Sequence, residues 1–411
     1  MNPYQDLDDW IDAHFDDEVA FLQALVRQPT DTPPGNNAPH AELTARLVQD
    51  WGWQAESHPV PQAQVHAAGL ASITNLVIRR RFRDGGRVVG LNAHGDVVPP
   101  GEGWTHPPYG AEIHDGRLYG RAAAVSKCDF ATYSFATRAL EACRAPKLHG
   151  AVELYFTYDE EFGGELGPGW LLAQGIVRPD LLMAAGFSYQ VLTAHNGCLQ
   201  FEVEVRGRMA HAAIPDSGRD ALQAAVTLLN ALYARNDAYK AVRSKVAGIS
   251  HPYLNVGWIE GGTNTNVVPG KVIFRLDRRL IPEENIDLVE AEIRDTIAQA
   301  ASALVDISVD VRRILRANPL KPLPGNRPLV DALKRHASAL LGEAIEDSGT
   351  PLYADARLFG EAGIPAVLYG AGPRTVLESN AKRSDEHIVL ADLRAATKVV
   401  ARTLSDLLTD A

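Results

Sequence analysis

The pattern of apolar and polar positions predicts alternating helices and strands over about the first 190 residues. Apolar residues recur at helical spacing in amphipathic segments, whereas short continuous apolar runs indicate buried strands. The predicted helices are Asp6–Arg27, Glu42–Trp51 and Phe130–Cys143, and the predicted strands are Leu76–Arg80, Val88–Leu91 and Val152–Tyr158. This alternation is typical of an α/β domain.

A different order of elements follows from Cys198 to about Leu315. The predicted strands are Gln200–Val205, Tyr253–Ile259, Lys271–Asp277 and Asp306–Arg312, and the predicted helices are Asp220–Arg235 and Ile286–Ala303. Their order, βαββαβ, is that of a split ferredoxin-like unit. The α/β pattern resumes beyond Pro319 with Leu329–Leu341, Pro365–Tyr369 and Leu390–Leu408. We therefore predict a discontinuous domain of residues 1–196 and 316–411, with a second domain of residues 197–315 inserted into it.

Composition narrows the class of protein. A chain of 411 residues with 46% hydrophobic content can bury two cores. The net charge of −11 comes without a Lys/Arg block, which argues against a nucleic-acid partner. No apolar run approaches the length of a membrane span, and the acidic N-terminus does not resemble a signal peptide. Three scattered cysteines fit a reducing compartment, so we predict a cytoplasmic protein with no membrane partner.

The stretch from Leu91 to Lys127 carries the first candidate chemistry. His94 follows a predicted buried strand, and Asp96 lies two residues further on. An imidazole can bind a metal ion through one nitrogen while a carboxylate fixes its tautomer. We therefore expect a site at the carboxyl end of this strand.

Asp159-Glu160-Glu161 places carboxylates directly after another predicted strand. Amide hydrolysis at neutral pH needs an activated water, and a carboxylate can move its proton to the leaving nitrogen. An acidic run is more often a solvated surface or a helix N-cap. The preceding strand and the following Gly163-Gly164 favour a site here.

Eight segments together resemble the M20 family of metallopeptidases and aminoacylases, which includes glutamate carboxypeptidases, succinyl-diaminopimelate desuccinylases and acetylornithine deacetylases. They are AHGDVVP, DGRLYGR, YDEEFGG, GRMAHAAIP, GGTNTNVVP, DRRLIPEE, ADARLFGEAGIPAV and YGAGP. The resemblance implies an aminopeptidase-like (phosphorylase/hydrolase-like) α/β catalytic domain and an inserted ferredoxin-like lid that dimerises. It also implies two zinc ions and hydrolysis of amide bonds next to a free carboxylate. By resemblance, Glu160 is the general base, with Asp96 in the catalytic group, and His94 and Glu161 are metal ligands.

Three of the family's five metal-ligand positions carry residues that do not suit a metal. The bridging aspartate position falls on Val125, the next acid position near Ala185 or Gly186, and the late histidine position on Lys382. A valine has no donor atom and a charged ammonium has no free electron pair. Catalytic zinc takes at least three protein ligands, so we expect at most one ion, zinc or another divalent metal, or none.

Three arrangements stay open at this point. A rebuilt mononuclear site could add Asp129, Asp159, His195 or His387 to His94 and Glu161. A metal-free site could place the Lys382 charge where an ion stood, paired with Glu161. In the third arrangement, catalysis is lost and the pocket is kept for binding.

Other residues match family positions for substrate and transition-state contacts. By resemblance, His211 reaches across the dimer to stabilise the oxyanion, and Asn266 and Arg279 hold the substrate. Arg279 could instead pair with Asp277 or Glu283.

Three further positions complete the predicted substrate contacts. Arg357 could bind a carboxylate or cap the fold. Gly372, in Gly370-Ala371-Gly372, would let the backbone approach a ligand closely. Lys382 is the last of the predicted substrate-binding residues.

Two hypotheses follow. The first is an M20-type hydrolase of an N-acyl amino acid or small peptide with an altered metal site, acting as a homodimer through the lid. The second is a non-hydrolytic relative, either a binding protein or an enzyme of other chemistry that uses Lys382.

Overall fold

A computed structural model describes residues 2–409 of the chain. These residues form two compact units. Unit 1 contains residues 1–193, 322–348 and 354–411, and unit 2 contains residues 194–321 and 349–353, as far as these residues are described. The predicted domain boundaries at residues 197 and 315 stay a prediction.

The helices and strands are bounded as follows. The helices are α1 (Gln5–Ala13), α2 (Phe15–Arg27), α3 (Ala38–Gln49), α4 (Gln62–Ala67), α5 (Lys127–Arg144), α6 (Pro168–Ala173), α7 (Ala221–Tyr239), α8 (Ile286–Ala301), α9 (Arg327–Leu341), α10 (Ala356–Glu361) and α11 (Leu390–Leu408). The strands are β1 (Ala55–Pro59), β2 (Thr74–Arg81), β3 (Arg83–His94), β4 (Glu112–His114), β5 (Arg117–Tyr119), β6 (His149–Thr157), β7 (Leu181–Ala184), β8 (Val191–His195), β9 (Gly197–Arg206), β10 (Ala210–His211), β11 (Tyr253–Gly261), β12 (Val267–Val268), β13 (Lys271–Leu280), β14 (Ser308–Ala317), β15 (Asp347–Thr350), β16 (Ala366–Leu368) and β17 (His387–Val389).

Unit 1 is built on a mixed sheet with the strand order β1-β2-β6-β3-β7-β16-β8-β15. Its centre is parallel, because β3 pairs in parallel with both β6 and β7, and β7 pairs in parallel with β16. The central strands are buried along most of their length, as expected for strands covered on both faces. Helix α5 packs against α11 and α2. The α/β fold predicted from the sequence is confirmed.

Unit 2 contains a four-stranded antiparallel sheet in the order β11-β13-β9-β14. Along the chain its elements run β9, α7, β11, β13, α8 and β14, which is the predicted βαββαβ order. Side chains of β9 alternate between buried and partly exposed, and its buried residues join those of α7 and α8 in one core.

One predicted helix is two helices in the structure. The prediction of a single helix over Asp6–Arg27 is wrong, because α1 ends at Ala13 and α2 begins at Phe15. His14 between them has a non-helical backbone (φ −112°, ψ 15°). Three acidic residues, Asp16, Asp17 and Glu18, lie in the first turn of α2, where the helix dipole favours negative charge. Among residues 2–409, no helix combines the length and apolarity needed to cross a membrane.

Candidate functional site

Two parallel strands bring the candidate residues to one edge of the unit 1 sheet. His94, the last residue of β3, lies opposite Thr157, the last residue of β6. The chain continues from Thr157 into the loop that contains Asp159, Glu160 and Glu161. Because parallel strands end on the same side, the histidine and these acids meet at the carboxyl ends of the strands.

His94 lies between two carboxylates. Its Nδ1 atom is 3.0 Å from the Asp96 carbonyl oxygen and 3.4 Å from Asp96 Oδ1. Its Nε2 atom is 3.8 Å from Glu160 Oε2. Burial alone would lower the pKa of His94, but the charges of Glu160 and Asp96 raise it to about 10. The two carboxylates therefore favour the protonated form of the His94 imidazole.

Asp96 also fixes the loop that carries the acids. Its two carboxylate oxygens accept hydrogen bonds from the backbone N–H groups of Glu160, at 3.3 Å, and Glu161, at 3.0 Å. Burial raises the pKa of Glu160, while the charge of His94 acts in the opposite direction. Asp96 thus positions both the imidazole and the two glutamates.

Lys382 forms an ion pair with Glu161. Its Nζ atom lies 2.6 Å from Glu161 Oε2, and the Lys382 side chain is 52% exposed whereas that of Glu161 is buried. Burial alone would lower the pKa of Lys382, but Glu161 and Glu160 raise it overall. The ammonium therefore neutralises a carboxylate that by resemblance holds a metal ion.

The other two altered positions are also occupied by groups without donor side chains. Val125 uses its backbone N–H to donate to Glu386 Oε1 at 3.3 Å. A Cβ atom on Gly186 would lie only 2.8 Å from the carbonyl carbon of Leu368 and the nitrogen of Tyr369, so an aspartate does not fit there. Of the five ligand positions that the resemblance predicts, only His94 and Glu161 carry side chains that suit a metal, and Glu161 is paired with Lys382. These residues do not fit a two-zinc centre.

The four neighbours considered for a rebuilt mononuclear site make hydrogen bonds elsewhere. Asp129 accepts from Ala371 N at 2.7 Å, and Asp159 accepts from the backbone N–H of Leu166. Burial raises the pKa of each of these two carboxyls to about 7. His195 Nδ1 is 2.9 Å from the Asn196 carbonyl oxygen and belongs to unit 2, and His387 Nδ1 is 2.9 Å from the Asp385 carbonyl oxygen. These contacts give no support to a rebuilt mononuclear site.

The structure gives two predicted substrate residues of unit 1 a role within the fold. Arg357 is buried and donates to the Gly163 carbonyl oxygen, to Glu361 at 3.0 Å and to Glu165 at 3.2 Å, which is the fold-capping alternative. Gly372 donates to the Gly186 carbonyl oxygen at 2.9 Å, and a Cβ atom there would lie 2.4 Å from that oxygen. The close approach at Gly372 is therefore to protein.

Two of the three predicted residues of unit 2 lie on strands, Arg279 on β13 and His211 on β10, and Asn266 lies in a turn. Arg279 makes the alternative ion pair with Asp277, at 2.7 Å. His211 is exposed on β10, where its Nδ1 accepts a hydrogen bond from Ala213 N at 3.1 Å. The carbonyl oxygen of Asn266 accepts from Ala212 N at 3.0 Å, and the Asn266 side chain is exposed.

Two buried acids near the site were missed by the sequence reasoning. Glu386 pairs with Arg121 at 2.6 Å and accepts from the backbone of Ala124, Val125 and Lys382. Asp355 is buried, and its Oδ2 atom has no hydrogen-bond partner among residues 2–409. Burial, reinforced by Glu160, raises the pKa of Asp355 well above its usual range. Asp355 was visible in the ADAR motif, but only its arginine was considered.

The fold is that of an α/β domain with an inserted ferredoxin-like βαββαβ unit, and a buried histidine and carboxylates lie at the carboxyl ends of its parallel strands. The model of peptidase family M20/M25/M40 matches residues 90–406. The chain belongs to this family of hydrolytic enzymes, whose members are metal-dependent.

Individual relatives and solved structures agree with this assignment. The chain is 27% identical over 405 residues to a succinyl-diaminopimelate desuccinylase of Methylorubrum populi, covering 94% of this chain and 97% of the relative. It is 26% identical over 409 residues to that of Paracidovorax citrulli, covering 95% and 97%. Its fold is similar to those of the di-peptidase Dug1p of Saccharomyces cerevisiae (TM-score 0.79, 13% identity, 98% of each chain) and the metallo-carboxypeptidase Sso-CP2 of Sulfolobus solfataricus (TM-score 0.78, 18% identity, 94% and 98%).

Proposed function

We propose that this M20 family hydrolase cleaves the amide bond of an N-acyl amino acid or small peptide without a two-zinc centre. The observation that carries the proposal is the Lys382–Glu161 ion pair beside the His94–Asp96–Glu160 group. The curated relatives are desuccinylases, which supports an N-acyl amino acid as substrate.

In this proposal Glu160 is the general base. Its carboxylate takes a proton from a water molecule, the water oxygen attacks the carbonyl carbon, and Glu160 returns the proton to the leaving nitrogen as the C–N bond breaks. Asp96 holds the backbone of Glu160, so the base is fixed before substrate arrives. Removing such a proton-transfer group typically lowers the rate by about 10²–10⁴-fold.

Two cations are available to stabilise the oxyanion of the tetrahedral intermediate. The Lys382 ammonium is paired with Glu161, and His94 Nε2 lies 3.8 Å from Glu160 Oε2, so each group lies next to one of the two glutamates. Fixed charges of this kind lower the barrier because they need no reorganisation during the reaction. The predicted contributions of His211, Asn266, Arg279, Arg357 and Gly372 stay predictions.

A panel of N-acyl amino acids and dipeptides, including N-succinyl compounds, tests the proposal. We expect turnover that survives exhaustive chelation and falls at least about 100-fold in Glu160→Gln. Glu102→Gln, an exposed glutamate in another loop, is the matched control and should keep full activity. The metal-independent mechanism would be overturned if chelation abolished the activity and added zinc restored it. In that case zinc binding should also be lost in a His94 variant.

A second candidate function is a non-hydrolytic one, either binding or another chemistry at Lys382. The specific observation in its favour is that Val125, Gly186 and Lys382 replace an acid, an acid and a histidine together. Calorimetry with N-acyl amino acids distinguishes the two. Binding without turnover in the wild-type protein, lost in Lys382→Met, would favour this candidate over hydrolysis.

Assembly and location complete the proposal. We propose a homodimer formed through residues 197–315 and a cytoplasmic location, with no nucleic-acid or membrane partner. Light scattering on the purified chain tests the dimer, and a monomeric mass would contradict it.

A further inference from the structure

His106, Glu112 and His114 form a cluster of potential metal ligands in unit 1. Each residue offers one ligand atom, and these three atoms lie within 4.8 Å of one another. His106 Nδ1 is 3.0 Å and His114 Nε2 is 3.5 Å from Glu112 Oε2. None of these residues belongs to the His94 group.

These separations can be compared with those around a tetrahedral zinc ion. With Zn–N and Zn–O bonds of about 2.0–2.2 Å, neighbouring ligand atoms in a tetrahedron are about 3.3–3.6 Å apart. The His114–Glu112 separation lies in this range, whereas His106 and Glu112 are at hydrogen-bond distance and would have to move slightly apart around an ion. Two imidazoles and one carboxylate form a ligand set suited to zinc, whereas magnesium and calcium prefer oxygen ligands.

The strand geometry explains why the three side chains converge. Glu112 and His114 are two residues apart in β4, so both lie on the same face. Tyr119 of β5 is directly opposite Glu112, and the His106 ring stacks on the Tyr119 ring with centroids 4.0 Å apart. The stacking holds the His106 imidazole beside the Glu112 carboxylate.

A separate anchor holds the backbone at His106. The Asp385 carboxylate accepts hydrogen bonds from Thr105 N at 2.8 Å, Thr105 Oγ1 at 2.8 Å and His106 N at 3.1 Å. The position of this ligand is thus fixed by two independent contacts. Such support is what keeps a metal ligand in place before the ion binds.

We propose that His106, Glu112 and His114 bind one zinc ion, with water in the fourth coordination position. The His114 side chain is 55% exposed and that of Glu112 is 40% exposed, so both an entry path and the water position are open.

Zinc binding to the full-length, chelator-treated protein tests the proposal by equilibrium dialysis. We expect one zinc equivalent in the wild-type protein and at least about tenfold weaker binding in His114→Ala and in Glu112→Gln. His66→Ala, which removes an exposed histidine on α4, is the matched control and should bind like the wild type. Circular dichroism verifies the fold of each variant, and cobalt(II) absorption reports four-coordination at the site.

The outcomes also separate this site from the His94 pocket. Zinc that is lost in His114→Ala and retained in His94→Ala supports the cluster. If His114→Ala still binds zinc, the proposed zinc cluster is wrong. If that zinc is then lost in His94→Ala, zinc binds in the His94 pocket, and this result contradicts the metal-independent mechanism. Absence of zinc binding by the wild-type protein overturns the cluster and leaves the proposed function intact.

Discussion

At the scale of single residues, the Lys382–Glu161 pair joins two positions at which the resemblance to the M20 family predicts metal ligands. Lys382→Met leaves the buried Glu161 carboxylate without its partner. Because Lys382 is half exposed, we expect a loss of about 1 kcal/mol in the free energy of unfolding, well below that of a fully buried pair. Urea denaturation measures it. Lys240→Met, which breaks the exposed pair with Asp237, should change stability by a few tenths of that amount, and equal losses would contradict the argument.

Restoring two missing ligands should restore metal binding. In Val125→Asp with Lys382→His, four of the five family ligand positions carry donor side chains, which is enough for zinc. Calorimetry in a His114→Ala background, free of the proposed second site, should show one new high-affinity zinc site. Continued absence of binding would show that Val125 and Lys382 do not occupy the family's ligand positions.

The sequence motifs placed candidate residues at the ends of strands, and the catalytic and metal-binding roles of these residues stay predictions. His94, Asp96, Glu160 and Glu161 meet because two parallel strands end side by side. The sequence could not show that Arg357 and Arg279 form ion pairs within the fold. Which of several neighbouring carboxylates an arginine contacts depends on its side-chain conformation, and the sequence does not specify that conformation. The His106 cluster was missed, although the H-x5-E-x-H spacing places two ligands on one face of a strand.

At the scale of elements, the packing of α2 against the rest of unit 1 makes stability depend on pH. Glu18 on α2 is buried and accepts from Thr397 on α11 at 2.6 Å. Burial raises the pKa of Glu18 to about 8 from 4.5. The folded state therefore favours the protonated carboxyl, and this stabilisation is complete below pH 4.5 and lost as the pH rises through 8.

Glu18→Gln should remove this pH dependence. The neutral amide has no charge to bury, so we expect the variant to be more stable than the wild type at pH 8.5 by more than about 1 kcal/mol, at about 1.4 kcal/mol per pKa unit. Urea unfolding at pH 5 and pH 8.5 measures the difference. Asp16→Asn, at an exposed position of the same helix, should leave the pH dependence unchanged. If the free energy of unfolding fell equally in Glu18→Gln and in the wild type between pH 5 and pH 8.5, the pH dependence would not come from Glu18.

Elements were predictable from sequence where they are long and periodic. The prediction of α11 over Leu390–Leu408 coincides with the structure, and the strands of unit 2 lie within a few residues of their predicted bounds. Strands β4, β5 and β17 were missed because each has three residues and depends on pairing across distant parts of the chain. The break at His14 was missed because apolar spacing continues across it.

At the scale of the whole molecule, one ion pair joins parts of the chain 265 residues apart. Glu386 and Arg121 are both buried and lie 2.6 Å from each other. Glu386→Gln leaves the guanidinium without its counter-charge, so we expect a loss of about 3–5 kcal/mol in the free energy of unfolding. Glu378→Gln, an exposed residue nearby in sequence, should be near neutral. Chemical denaturation and resistance to proteolysis measure the stability of both variants. If Glu386→Gln were as stable as Glu378→Gln, the Arg121–Glu386 pair would not stabilise the fold.

The same carboxylate has a consequence for the site. Ala124 N, Val125 N and Lys382 N all converge on Glu386, so one side chain holds the backbone at two of the altered ligand positions. The backbone at both positions is therefore held by a third residue and not by the side chains that project from it. New side chains at Val125 and Lys382 would meet a main chain that is already in place.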